Sequence, residues 1–562
     1  MLGRALRLAS AGPEPPSAPA SPGDPVPVRL DPAEELLARW REHTGQVQRL
    51  HQKLFYRPLL DAVASLPGDA VRLTPQAAEA RLEALGYADP AGALRHIGAL
   101  TAGVSRRAAI QRTLLPLLLE WFADAPEPDA GLLAFRQVSD ALGQTPWYLR
   151  LLRDDMTVAQ RMARLLASSR YAVGLLLRQP ETVDLLVNDA RLEPRDRATL
   201  QAEATALAER QAQAEDAVAA VRALRRRELL RTAMADLLIR PGPEQTGEAL
   251  TTVAAVTIET ALQVAIRSVA DRRGGFPTRI CVVAMGRFGG HESGYGSDAD
   301  VMFVHDPLPG ADEQEATEAA HAAAEELRAL LARPGLDPPL IVDPDLRPEG
   351  RQGPLVRTLA SYRAYYQRWS GPWESQALLR AEPMAGDAEL GARFLALADE
   401  IRYPDGGIPE ASVLEIRRLK ARMEAERMPR GVDPALHLKL GPGGLSDVEW
   451  VVQLLQLRHA GAVPELRTTR TLAGLAVAAK AGLVTPQDAA VLARAWRLAS
   501  QIRDAVVLVR GRVGDVLPAR SAELAAVATV LGYPSGGAQD LMQDYRRAAR
   551  QARAVMERLF YG

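Results

Sequence analysis

From Asp31 to about Gln179 the apolar residues recur at the three- and four-residue spacing of amphipathic helices, broken at Pro67-Gly68, Gly86-Tyr87 and Pro126-Glu127-Pro128. The pattern predicts an all-helical module. Residues 197–239 form the longest uninterrupted helical run, closed by Pro241-Gly242-Pro243, and a second helix is predicted over about 246–272, before Gly274-Gly275. The texture then changes. Three short runs, 279–285, 299–304 and 339–343, are rich in β-branched residues and bounded by Gly, Asp or Pro, which predicts the strands of a small sheet. A helix over about 313–333 separates the last two. After Gly386 the helical spacing resumes and runs to the end, with breaks near Pro404, Gly441–Gly444, Gly482 and Gly532–Gly537. The fold class expected is mostly α with a small α/β core flanked by helical modules. Its expected divisions are a Pro-rich tail at 1–30, a helical module at 31–190, the core with its preceding helices at 191–390, and a helical bundle at 391–562.

A chain of 562 residues is too long for a single core, which agrees with several units. Formal net charge is −1, so no global positive field is available to hold a nucleic-acid backbone, and a nucleic-acid partner is excluded. Only Lys53, Lys420, Lys439 and Lys480 among the 68 basic residues are lysines, which makes any single arginine uninformative. The one cysteine, Cys281, cannot form an internal disulfide and sits among apolar neighbours, as a buried thiol in a reducing cytoplasm would. Arg4 and Arg7 interrupt the N-terminal segment ahead of the Pro-rich stretch, a poor signal peptide, and no uninterrupted apolar run approaches the roughly 18 to 20 residues of a membrane helix. A cytoplasmic protein without a membrane partner is expected.

Chemistry concentrates in residues 282–304, VVAMGRFGGHESGYGSDADVMFV. A strand ends at Met285, a glycine-rich turn covers Gly286 to Gly290, and a second strand opens with Asp298-Ala299-Asp300. Alternation along the strand puts Asp298 and Asp300 on one face. Two carboxylates beside the apolar run Val301–Val304 repel each other at the edge of a low-dielectric core, and a divalent cation resolves the conflict. Hard oxygen ligands select Mg²⁺ or Mn²⁺, shared with substrate phosphates. Gly289 and Gly290, lacking Cβ, leave room for backbone N–H groups to approach those phosphates. Asp343, closing the strand PLIVD, completes a three-carboxylate site suited to two-metal attack on a nucleotide α-phosphate. Asp-x-Asp alone is ordinarily a solvated strand end, and Gly-Gly is weaker still. The ordered set of strand, Gly-Gly, Asp-x-Asp, apolar strand, helix and a further strand-end Asp points to a metal.

Around that set the chain resembles the polymerase-β-type nucleotidyltransferase superfamily and, within it, the glutamine synthetase adenylyltransferase family. The resemblance is carried by VDPDLRPEGRQGPLVR at 342–357, SYRAYYQRWSGPWESQALLR at 361–380, LKLGPGGLSDVEWVVQLLQLR at 438–458 and RRRELLR at 225–231, and it covers roughly 34–562. It implies a nucleotidyltransferase core at 191–390, Mg²⁺ held by Asp298, Asp300 and Asp343, ATP as substrate, and AMP transfer to a tyrosine hydroxyl of glutamine synthetase. A PII signal protein and glutamine are the implied effectors. Members usually pair an AMP-removing half with an adenylylating half. This chain carries one Gly-Gly, Asp-x-Asp set and ends in RAVMERLFYG, so it resembles the C-terminal, adenylylating half.

Further nucleotide contacts are expected from Gly289, Gly290, Arg287, Ser297 and Lys439, although arginine and serine in such a turn are more often turn-bonding groups. Lys439 stands out because lysine is scarce. Arg347, Arg351 and Arg357 read as ordinary arginines, Arg225–Arg227 as a solvated helix face, and Trp369, Trp373 and Trp450 as packing residues. Asp447 and Glu449 are read as holding the bundle to the core or merely capping a helix. Competing readings are a PII uridylyltransferase-like or small-molecule nucleotidyltransferase, and a non-catalytic regulatory fragment.

Overall fold

The computed structural model describes residues 75–562 apart from 104, 143–145 and 336, so the Pro-rich tail and the first part of the helical module lie outside the described residues. The chain divides into two units, 1–120 and 121–562. In the first, helix α1 spans Pro75–Ala84 and α2 spans Pro90–Thr101, with Pro90 in the first turn and the Asp89 carboxylate accepting the Gly92 N–H. Helix α3, Arg106–Ala123, carries the chain across the division at 120.

The second unit opens with α4 (Pro128–Leu142), α5 (Pro146–Asp154), α6 (Met156–Ser168) and α7 (Arg170–Leu176). Where one helix was expected over 197–239 there are two, α8 (Arg197–Glu209) and α9 (Ala214–Leu238). No Gly or Pro marks the break. Both halves bury apolar faces in one core, Leu200, Ala204 and Ala208 from α8 and Val218, Val221 and Leu224 from α9, together with the long α10 (Pro243–Arg273). A straight helix could not lay both faces on α10, so packing overrides local propensity. Helix α10 starts on Pro243, ends at left-handed Gly274, and is the longest helix described. Its length and hydropathy would suffice to cross a membrane, but 78% of that apolar window is buried within the protein, as in a core helix.

The sheet is mixed. Strands β1 (Thr278–Ala284), β2 (Ala299–Pro307), β3 (Val342–Asp343), β4 (Val356–Thr358) and β5 (Glu382–Gly386) follow the order β3-β2-β1-β5, with β4 also on β2. β1 pairs antiparallel with β2 and β5, while β3 and β4 run parallel to β2 and share its other edge, at Ala299–Asp300 and Phe303–His305 respectively. One face of the sheet, Ile280, Val282, Ala284, Val301 and Phe303, packs with α8–α10 and α12 (Glu313–Ala332). The other, Cys281, Val283, Met302 and Val304, packs with α13 (Leu359–Trp369) and α15 (Ala388–Arg402). Covering both faces explains why β1 and β2 are near-continuous apolar runs instead of alternating ones. Helix α15 closes the second face, so the expected boundary at 390 falls within a helix of the core. Strands β4 and β5 were not predicted: β4 is three residues long, and β5 carries Pro383, which only an edge strand tolerates.

The C-terminal helices are α16 (Glu410–Arg427), α17 (Leu445–His459), α18 (Thr471–Lys480), α19 (Pro486–Arg510), α20 (Ser521–Val530) and α21 (Ala538–Met556). Between α13 and α15 lies α14 (Pro372–Leu378).

Candidate active site

The sheet topology assembles the site. β3 lies parallel to β2 with Asp343 in register with Asp300, and Asp298 immediately precedes β2. Carboxylate oxygens of Asp298, Asp300 and Asp343 all come within 4.8 Å of one another. Asp343 Oδ1 accepts the N–H of Asp345 at 2.8 Å, which fixes its rotamer. Among the described residues no arginine or lysine pairs with any of the three, although arginine is abundant. Burial, then the charges of Asp298 and Asp343, push the Asp300 carboxyl up to about 7, and Lys439 pulls the other way. A trio left unpaired at this separation fits a bound cation, and its all-oxygen donor set fits a hard divalent one.

The turn between β1 and β2 is shaped around these carboxylates. Met285 donates its N–H to Asp300 O at 2.8 Å, and the chain reverses at Gly286 with φ +53°. A Cβ at Gly286 would overlap the Asp300 carboxylate, so this glycine admits Asp300 into the turn. Gly286 is a site residue that sequence reasoning quoted but did not single out. Its signal was a glycine directly after a strand.

Gly289 and Gly290 behave differently from the expectation. They lie at the end of a single helical turn, α11 (Gly286–Gly289), and their N–H groups donate to Met285 O at 2.8 Å and Gly286 O at 3.1 Å. Those donors are already used within the turn. A Cβ at Gly289 would overlap Arg380 O and stand 2.8 Å from Ala284 O, and at Gly290 it would meet the Arg380 guanidinium. Both glycines let the turn seat against the segment leading into β5. Ser297 Oγ accepts the Gly294 N–H at 2.9 Å, a turn-bonding role. Arg287 donates to Glu292 O at 2.8 Å, pairs with Glu449 of α17 at 3.1 Å and lies over the Trp496 ring. It ties the turn to the bundle.

The loop 290–297 has further buried anchors. Glu292 pairs with Arg380 at 3.2 Å, each side chain 7% exposed, and accepts from the N–H and hydroxyl of Thr471. The Tyr295 hydroxyl donates to Asp236 at 2.6 Å, and Asp236 also accepts from Thr246. Burial pushes the Asp236 carboxyl up to about 7 against the pull of those hydrogen bonds. His291, at φ +56°, stands 3.1 Å from both Glu248 and Glu382. Sequence reasoning missed Glu292, Arg380 and Asp236, whose partners are distant in the chain.

Lys439 is half-buried and acts electrostatically on Asp300 and on Asp515. Its loop is held from behind. Gly443, at φ +76°, passes so close to Ala549 O that a Cβ would overlap it, and its N–H donates to Asp447 at 2.7 Å. Asp447 is fully buried and pairs with the equally buried Lys420 at 2.7 Å and with Arg553 at 3.2 Å. Asp447 therefore anchors the Lys439 loop among α16, α17 and α21, while Glu449 joins the bundle to the core. Arg347 is buried and donates to the carbonyls of Pro344 and Gly353, Arg351 pairs with Asp345, and Arg357 pairs with Glu349. The 225–227 run is not a solvated face: Arg225 is buried and donates to Pro338 O, and Arg226 and Arg227 pair with Asp337 and Glu203. Burial pushes the Cys281 thiol up to about 12, so it is inert as expected.

Comparison with known proteins follows the same lines. Residues 159–397 match the family model of glutamate-ammonia ligase adenylyltransferase, and 416–560 match that of GlnD PII-uridylyltransferase. The bifunctional glutamine synthetase adenylyltransferase/adenylyl-removing enzyme of Streptomyces avermitilis is 57% identical over 558 residues, covering 96% of this chain and 56% of the relative. The protein of the same description from Streptomyces coelicolor is 57% identical over 556 residues, with 96% and 55% covered. That from Nocardia farcinica is 50% identical over 538 residues, with 95% and 54% covered. The chain thus spans about half the length of the curated relatives it matches.

Proposed function

We propose that this chain acts as the family it matches over residues 159–397 is described, as a glutamate-ammonia ligase adenylyltransferase, transferring AMP from ATP to a tyrosine hydroxyl of glutamine synthetase and releasing pyrophosphate. The observation that carries the reading is the unpaired carboxylate trio at the β2–β3 edge. Asp298, Asp300 and Asp343 would hold Mg²⁺, which when bound supplies the charge that neutralises a triphosphate and acidifies an attacking hydroxyl. Asp343 keeps one oxygen on the Asp345 N–H and offers the other to the tyrosine proton. The tyrosine oxygen then bonds to the α-phosphorus as the bond from that phosphorus to pyrophosphate breaks. Lys439 faces the same charge and takes the triphosphate side. The Arg287–Glu449 and Arg380–Glu292 pairs keep turn, core and bundle in one frame, which in-line transfer requires.

The uridylyltransferase match covers bundle helices and none of the three carboxylates, so it does not bear on which nucleotide is used. We take a PII signal protein and glutamine as effectors and the cytoplasm as the compartment. The test is incubation of the purified chain with its own organism's glutamine synthetase, Mg²⁺ and α-labelled ATP. Label on the synthetase that disappears with Asp300→Asn supports the reading; folded chain that binds ATP yet never labels the synthetase, with or without effectors, overturns it.

A further inference from the structure

Gly286, where a Cβ would meet the Asp300 carboxylate, also lines a cleft of about 860 Å³. Leu346, Trp373 and Trp450 supply apolar wall, and α16 lines the cleft along one face. The residues it contributes, among them 411, 415, 418, 422 and 426, follow helical spacing. On that face Arg418 and Arg422 are exposed and form no ion pair among the described residues, unlike the paired arginines of the 225–227 run. Glu415 and Glu426 line the same cleft but form no ion pair with either arginine among the described residues, so both guanidinium groups can take an incoming carboxylate.

Exposed apolar residues flank the cleft's lining residues along the chain. Trp373 is 38% exposed and Trp369, across Ser370-Gly371-Pro372, is 65% exposed, contrary to the packing role expected of both. Leu414, 46% exposed, lies between residues 411 and 418 on α16. Exposed tryptophan beside unpaired arginine is the composition of a protein-docking hot spot. A nucleotide lodged in the cleft would leave Trp369 and Leu414 bare, whereas a protein segment lying along it covers them. Lys439, the cation assigned to the triphosphate, is not among the cleft's lining residues. In-line transfer sets the entering oxygen and the leaving pyrophosphate on opposite sides of the phosphorus, which gives the cleft to the acceptor.

We propose that the cleft between α16 and the Trp369–Trp373 corner is the docking groove for the acceptor protein. Its occupant is a tyrosine-bearing segment with acidic flanks. The tyrosine ring packs on Trp373 and brings its hydroxyl past Gly286 to the carboxylates, while flanking carboxylates pair with Arg418 and Arg422. This rests on the adenylylation reading above and adds which surface selects the protein substrate.

The test uses the full chain, glutamine synthetase and a non-hydrolysable ATP analogue, measuring binding of the synthetase directly and then steady-state labelling with ATP. The double variant Arg418→Glu/Arg422→Glu and, separately, Trp373→Ala should weaken synthetase binding about ten-fold or more and raise the KM for the synthetase in step, with the KM for ATP within about two-fold of wild type. The double variant Arg546→Glu/Arg550→Glu, both exposed on α21, makes the same change in net charge as the arginine variant and should change neither; thermal melts confirm that each variant is folded. A rise in the KM for ATP instead would assign the cleft to the nucleotide and overturn the proposal, as would unchanged synthetase binding in both groove variants. A wild-type chain that labels the synthetase while the variants bind it normally refutes the groove alone. A wild-type chain that neither binds nor labels it refutes the adenylylation reading, and the groove with it.

Discussion

Replacing Gly289 by alanine separates two explanations of the glycine pair. Gly289 has ordinary helical backbone angles, so the added methyl costs nothing in φ. It does collide with two backbone carbonyls, Arg380 O and Ala284 O, the second at 2.8 Å. Neither can swing away as a side chain would: Ala284 ends the central strand β1, and Arg380 is held by its ion pair to Glu292 and its bond to Thr471. Relief requires moving the entry to β5 by about 1 Å, a cost of roughly 3 kcal/mol for overpacking between fixed elements. The expected result is a Tm lowered by on the order of 5 °C in the absence of any ligand, together with a fall in labelling of at least about a hundred-fold as the turn bearing Gly286 shifts against Asp300. Differential scanning fluorimetry without nucleotide and the α-labelled ATP assay measure the two. Had Gly289 served only to admit phosphates to free N–H groups, activity would fall while the ligand-free Tm stayed at the wild-type value. That outcome would refute the packing argument.

Three other perturbations test the remaining links. Lys439→Met should raise the KM for ATP and lower kcat while leaving the melt unchanged, because its charge faces Asp300 and carries no buried structural pair; an unchanged KM for ATP would remove it from the site. Asp447→Asn leaves buried Lys420 without its full counter-charge and should destabilise the bundle by about 3 kcal/mol in urea unfolding, with the combined Lys420→Met/Asp447→Asn variant recovering part of the loss; equal loss in both would contradict the ion-pair account. Asp236 is an acid whose carboxyl is raised to about 7 in the folded state, so the stability it contributes is full below its unfolded value near 4 and is lost as pH rises through 7. Asp236→Asn should therefore flatten the decline of Tm between pH 4 and 7, and an unaltered slope would show that the group is not the one titrating.

The carboxylates and the strands that bear them were legible in the sequence because their signals are local. Alternation predicts a common face for Asp298 and Asp300, although Asp298 lies one residue before β2, and β-branched runs bounded by Gly and Asp mark β1 and β2. The order strand, helix, strand from Asp300 through α12 to Asp343 was legible too, whereas the parallel return of β3 to β2 was seen only in the structure. Other features were not local. The division of residues 197–239 into α8 and α9 depends on α10 being present to receive both faces, and no residue at the break announces it. The role of Gly289 and Gly290 depends on Arg380, some ninety residues away, which only the sheet order brings beneath them.

What the sequence determined by itself, then, is the set of candidate groups: three carboxylates, a glycine turn and a scarce lysine, each readable from residue type and short-range spacing. The tertiary structure decided which of those groups stay unpaired. In a chain with this many arginines any carboxylate has cations available in sequence, and Glu203, Glu292, Glu449 and Asp337 are all paired. Among the described residues Asp298, Asp300 and Asp343 have no such pair: β3 docks on β2 and packs them against one another while the nearby arginines are drawn to other partners. Charge pairing is a long-range property of the folded chain, set by which elements meet, and spacing along the sequence carries no record of it.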